Sequence, residues 1–109
     1  MADKTDLLQG TLDLIVLKLL RVGPANGWDL TQSIQVVSKG ALDVNYGSLY
    51  PALRRLEAKG WVKGRWGVSE NNRRARFYEL TPAGLKQLDT ERQAWERFSH
   101  ALGLILRTE

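Results

Sequence analysis

The chain has 109 residues, of which 43% are hydrophobic, with no cysteine and a formal net charge of +4. A length like this predicts one compact domain with a modest core, small enough for oligomerisation to add stability. The lack of cysteine excludes disulfides, thiol catalysis and cysteine-bound metal and fits a reducing compartment. The N-terminus has early acids and no apolar leader, and no apolar run approaches the roughly 20 residues of a membrane span, so a soluble, cytoplasmic protein is expected.

In chain order, "DLLQGTLDLIVLKLLRV" (6–22) reads as a first helix. Leu8, Leu12, Ile15 and Leu19 fall on one face, and Leu7 and Leu14 on another that calls for a second cover. "GPANG" (23–27) is a break. "WDLTQSIQVVS" (28–38) is a shorter helix with Leu30, Ile34 and Val37 inward and Trp28 as a packing anchor. "KGALDVNYG" (39–47) is a connector with room for a short strand.

"NYGSLYPALRRLEAKGWV" (45–62) carries a third helix with Leu49, Ala52, Leu53 and Leu56 on its inner side and Ser48, Pro51, Arg54 and Arg55 facing away. Were the helix to start near Ser48, Pro51 would sit in its first turn. Backbone N–H groups there lack an intrahelical partner, so a missing donor costs little. Residues 60–68 and 75–81 are rich in aromatic and β-branched side chains and form a hairpin around the basic tip "SENNRR" (69–74). Tyr78 and Leu80 recur two apart as core, and Trp61 and Trp66 read as hairpin packing. The last segment, 82–109, starts with Thr81 as cap and Pro82 just inside. Leu88, Trp95 and Leu102 recur every seven residues, as do Phe98 and Ile105, which is close to a heptad seam. About 26 helical residues would reach roughly 39 Å, too long for so small a domain to cover alone. Three helices, a hairpin and a long helix make a winged helix-turn-helix, mostly α with a small β-hairpin. Residues 1–81 form its body and 82–109 a dimerisation helix.

Charge locates the site. Residues 47–60 hold three basic and one acidic side chains and residues 61–81 five and two, so all of the positive excess lies on the third helix and the hairpin. In this fold the third helix enters the DNA major groove. Arginine can pair with guanine O6 and N7 or clamp phosphate, and tyrosine and serine bond phosphate oxygens. The expected DNA-binding residues are therefore Asn45, Tyr46, Ser48, Tyr50, Pro51, Arg54 and Arg55 on the helix, with Asn72, Arg73, Arg74 and Arg76 on the wing. An isolated arginine pair on a helix is more often solvated or salt-bridged; the coincidence with a basic wing favours nucleic acid. His100, the one histidine, has no ligand partner and reads as a surface residue. Neither a nucleophile–base constellation nor a glycine-rich phosphate loop is present, so no catalytic residue, metal or cofactor is expected.

Three segments resemble the PadR family of bacterial transcriptional regulators, in its short, compact form. "GPANGWDLTQSI" is similar to the family's Gly-Pro turn and glycine-aromatic helix start, "GSLYPALRRLEAKGWV" to its recognition helix, and "RFYELTPAGLKQL" to the strand leading into the last helix. Asn26 and Trp28 stand where the family has histidine and tyrosine, and the wing tip is not glycine-proline-rich. The resemblance implies a homodimeric DNA-binding repressor, its C-terminal helix packing on the partner's N-terminal helix. That assigns the interface to Leu7, Leu14, Leu88, Trp95, Phe98, Leu102 and Ile105. It implies a palindromic operator with half-sites about 34 Å apart. It also implies an aromatic or phenolic effector near the dimer axis, for which Trp95 is the stacking candidate; the plainer role for Trp95 is interface packing. The competing expectation is a winged-helix protein-interaction adaptor with dispensable basic residues.

Overall fold

The computed structural model describes residues 4–108, and side chains from residue 11 onward. The elements are α1 (Lys4–Leu20), β1 (Ala25–Asn26), α2 (Gly27–Val37), α3 (Tyr46–Ala58), β2 (Val62–Val68), β3 (Arg74–Leu80) and α4 (Pro82–Leu106). The strands form one antiparallel sheet in the order β1-β3-β2. This is the expected winged helix-turn-helix with a long C-terminal helix.

The buried stripe of α1 runs through Leu12, Val16 and Leu20, with Leu17 beside it, while Ile15 and Leu19 lie half-buried at its margin. The expected stripe is therefore displaced. α1 packs against α2, α3, α4 and β3 together, and this broad cover centres the buried arc on Val16. Leu7 and Leu8 lie outside the residues whose side chains are described. Leu14 is half-buried against the subunit's own core.

α2 begins at Asn26, whose Oδ1 accepts the Asp29 N–H at 2.8 Å. Leu30 and Ile34 face inward as expected, but Val37 is 71% exposed. Val37 lies about 20° from Leu30 around the helix, so the face is right and the last turn outruns the core. Trp28 is no packing anchor: it is 65% exposed on the first turn. The connector 39–45 holds no strand. The extra strand is β1, two residues long, with Ala25 opposite Tyr78 and Asn26 opposite Phe77.

α3 starts two residues before Ser48. Asn45 caps it, Oδ1 accepting from the Ser48 N–H at 2.9 Å. Pro51 is thus the sixth helical residue and lies in the second turn, where its missing donor leaves the Gly47 carbonyl without an intrahelical partner. Gly47 and Pro51 are both exposed, so water can satisfy that carbonyl. Leu49, Ala52, Leu53 and Leu56 form the inner face as expected. The helix ends in a left-handed Gly60 (φ 76°), which lets the Gly60 and Trp61 N–H groups bond back to Glu57 and Leu56 carbonyls, both at 3.0 Å. The chain passes straight into β2.

β2 and β3 pair from Val62–Leu80 to Val68–Arg74. Val62 and Tyr78 are fully buried on the face turned to α3. Thr81 then does two jobs: its Oγ1 accepts the Gly84 N–H at 3.0 Å, capping α4, and its hydroxyl donates to the Gly60 carbonyl at 2.7 Å. Leu88, expected in the dimer seam, is 4% exposed within the subunit's own core, because the first turns of α4 lie on α1. Past it, among the described residues, α4 buries nothing. Trp95, Phe98, Leu102 and Ile105 are all exposed, and the molecule is drawn out to 56 × 28 × 24 Å.

Candidate nucleic-acid interface

The exposed face of α3 reads Tyr46, Tyr50, Arg54, spaced four apart and so stacked along one side of the helix. The two tyrosine rings lie 5.7 Å apart between centroids and are tilted by 32°. The Arg54 guanidinium stands 5.8 Å from the Tyr50 centroid and its Nη1 reaches the Tyr50 hydroxyl at 3.4 Å. Tyr46 is seated on the backbone of Gly27, where any Cβ would collide with its ring. Partial burial, then the neighbouring Tyr50, push the Tyr46 phenol above its ordinary pKa. It therefore stays protonated near neutrality and can donate to a phosphate oxygen.

The wing forms the opposite wall. Its tip closes through the Ser69 N–H to the Arg73 carbonyl (2.8 Å) and the Asn72 N–H to the Ser69 carbonyl (2.9 Å). Asn72 takes the left-handed conformation (φ 58°) that asparagine tolerates better than other side-chain-bearing residues. Arg73 and Arg74 project from this tip, and the Arg74 guanidinium lies 4.4 Å over the Trp66 ring. A concavity of about 810 Å³ separates wing from helix. Tyr46 and Tyr50 line it from α3, Arg73, Arg74 and Trp66 from the wing, and Trp28 from the first turn of α2. Arg54 lines the adjoining groove with Trp66.

Not every expected residue faces this space with a free side chain. Asn45 is occupied as the α3 cap, and Ser48 is half-buried, its N–H held by that cap. Pro51 is exposed but lines neither the concavity nor the adjoining groove. Arg55, expected to point away from the body beside Arg54, turns onto α1, its Nη2 2.8 Å from Asp13 Oδ1. Adjacent helical residues diverge by 100°, so the pair cannot share one direction. Arg76, expected on the wing's outer contact surface, bends back to α3, its Nη2 2.6 Å from Glu57 Oε2. Hydrogen bonding to Glu57 is the first of the causes that raise its pKa. Trp28 and Trp66 are additions that reading for packing missed. The available signal for Trp66 was the hairpin register, which sets it opposite Arg76 and two pairs from Arg74, on the same face of the sheet. Trp66 is 56% exposed, with cations on it rather than core beneath it.

A helix carrying tyrosines and an arginine across a concavity from a basic β-wing defines the class: a winged helix-turn-helix of the kind built to lie on duplex nucleic acid. The Transcriptional regulator PadR-like family matches residues 16–90. The fold is similar to a transcriptional regulator from Clostridium thermocellum, with TM-score 0.85, 26% identity, and 98% of this chain and 100% of that one covered. It is also similar to a PadR family transcriptional regulator from Eggerthella lenta, with TM-score 0.79, 30% identity, and 95% and 88% covered. In sequence it is 38% identical over 65 residues to the transcriptional regulator Rv3488 of Mycobacterium tuberculosis, spanning 60% of each chain. The chain belongs to the PadR-like family of transcriptional regulators, a family of regulators and not of enzymes. No helix among the described residues is long and apolar enough to cross a membrane.

Proposed function

We propose that the protein is a homodimeric, cytoplasmic repressor that binds a palindromic operator. Residues 1–81 would act as its DNA-binding part and 82–109 as its dimerisation helix, with the burial of Leu88 moving the working seam to Trp95, Phe98, Leu102 and Ile105. The observation that carries the reading is the pairing of Tyr46, Tyr50 and Arg54 on α3 with Arg73 and Arg74 on the wing, on two walls of one surface. Tyrosines and wing arginines hold phosphates and fix register; Arg54 is the side chain placed to read a guanine edge.

The test is binding to duplexes from the promoter beside the protein's own reading frame, titrated against salt. With 6–10 phosphates neutralised, affinity is expected to fall by about 10³–10⁵ between 50 and 200 mM salt. Salt-independent binding, or none, would leave the protein-adaptor alternative standing. A flat aromatic effector is part of the proposal. Trp95 and Phe98, with ring centroids 6.0 Å apart, would stack it at the proposed dimer seam rather than on a free surface. Phenolic compounds should then release the operator from the parent but not from Trp95→Ala; release of both equally would remove Trp95 from that role.

A further inference from the structure

The Arg76 side chain is built into the junction between wing and recognition helix. It leaves β3 on the face turned to α3 and lies flat across β2 at Gly64, where a Cβ would stand 2.7 Å from its Nε and 2.8 Å from its Cζ. Glycine weakens a strand and is expected where another group approaches closely. Here that group is a guanidinium. Trp66 and Tyr78 flank it at 5.6 and 6.0 Å from their ring centroids, and Glu57 of α3 receives its Nη2 at 2.6 Å. The Arg76 and Glu57 side chains are 30% and 34% exposed, so the pair is only partly screened by water. Arginine alone combines a flat face for stacking with an in-plane fork for a carboxylate.

We infer that Arg76 is a positioning residue, a strut that fixes the wing against α3 through Glu57, with Gly64 as the opening that admits it. The strut reading rests on the DNA-binding reading above. It reverses a prediction that charge alone would make. Glu57 lines the groove shared by Arg54 and Arg76. If it were only a negative charge near phosphates, its neutralisation should tighten DNA binding. As the anchor of the strut, its neutralisation should weaken binding, because the wing loses its pose.

The experiment measures operator affinity and its salt dependence for the parent, Arg76→Gln, Glu57→Gln, the double variant, Arg76→Lys and Gly64→Ala, with circular dichroism to establish folding. Each single variant is expected to lose roughly tenfold in affinity, a coupling typical of contacting residues. The double variant should lose no more than either Gln variant alone. Arg76→Gln and Glu57→Gln should change the salt slope equally, since whatever phosphates the wing gives up are given up in both. Gly64→Ala should reproduce the loss with Arg76 intact. Three results would overturn the strut: tighter binding by Glu57→Gln, additive losses in the double variant, or full rescue by Arg76→Lys with a slope lowered by about one in Arg76→Gln alone, the mark of a direct phosphate contact. A parent that binds no duplex would instead sink the DNA-binding reading. The strut is then judged on its own by the unfolding midpoints of the Gln variants and their double, where additive effects reject it.

Discussion

Two adjacent arginines, Arg54 and Arg55, show what a sequence can and cannot assign at the scale of a residue. The inner face of α3 was legible from Leu49, Leu53 and Leu56, because helical spacing is local. The partner of Arg55 was not, because Asp13 is 42 positions away and its approach depends on how α1 crosses α3. The two side chains therefore predict different phenotypes. Arg54→Ala should weaken operator binding by ~1–3 kcal/mol if the contact is bidentate to a base, with little effect on unfolding. Arg55→Ala removes a partly exposed ion pair and should cost folding only ~0.2–1 kcal/mol, read in urea, with a smaller loss of DNA affinity than Arg54→Ala. Equal losses of affinity would mean that Arg55 leaves Asp13 when DNA arrives. Two glycines make a similar contrast. A Cβ at Gly84 meets the Trp61 backbone carbonyl, which cannot swing aside, so Gly84→Ala should destabilise by roughly 1–3 kcal/mol or more. A Cβ at Gly27 meets the Tyr46 ring, which can, so Gly27→Ala should displace Tyr46 from the face proposed to meet DNA and reduce operator affinity more than it reduces the melting temperature.

Among the elements, those with long, regular patterns were legible and those defined by pairing were not. The wing was readable because two runs rich in aromatic and β-branched residues flank a polar tip. β1 has two residues, too few for any period, and exists because β3 offers a free edge at Phe77 and Tyr78. Its residue Asn26 serves both as a strand partner and as the α2 cap, so the start of α2 is fixed to the sheet. The start of α3 was misplaced for a related reason: Pro51 suggested a first turn, but Asn45 caps the helix earlier and the chain accepts one unpaired carbonyl on an exposed face. The joint most sensitive to a single atom is the hydroxyl of Thr81. It caps α4 and also ties that cap to the Gly60 carbonyl where α3 gives way to β2. A cap alone is worth ~0.5–2 kcal/mol, so Thr81→Ala should fall in the upper part of that range, while Thr81→Ser, which keeps both bonds, should stay near the parent. Equal destabilisation by both would place the cost in the lost methyl packing instead.

For the molecule as a whole, the imbalance lies in α4. Its first turns belong to the subunit's core through Gly84 and Leu88, and its distal half carries Trp95, Phe98, Leu102 and Ile105 into solvent. On the helix's other side, around its middle, Arg92 holds Asp89 and Glu96 at 2.9 Å each, which marks that side as solvated. Hydrophobic periodicity made this apolar stripe, the proposed seam, visible in the sequence. Where the core ends and the seam begins was not visible, because Leu88 and Trp95 occupy equivalent heptad positions and only the reach of α1 separates them. Fully burying side chains of this kind stabilises by ~1.5–3 kcal/mol each. Four from each subunit, already partly covered, would give on the order of 10 kcal/mol, comparable with the ~4–15 kcal/mol cost of association. At the concentration used for operator titrations, a seam with so narrow a surplus should be lost to one well-placed charge. Phe98→Asp should keep its helical content, since that side chain is 58% exposed in the single subunit, yet sediment as a 12.3 kDa monomer. It should bind a full palindrome no better than a half-site, with about half the salt slope because half the phosphates are met. A parent protein that itself sediments as a monomer at that concentration, and still shows the full slope, would mean that two half-sites are not bridged through α4.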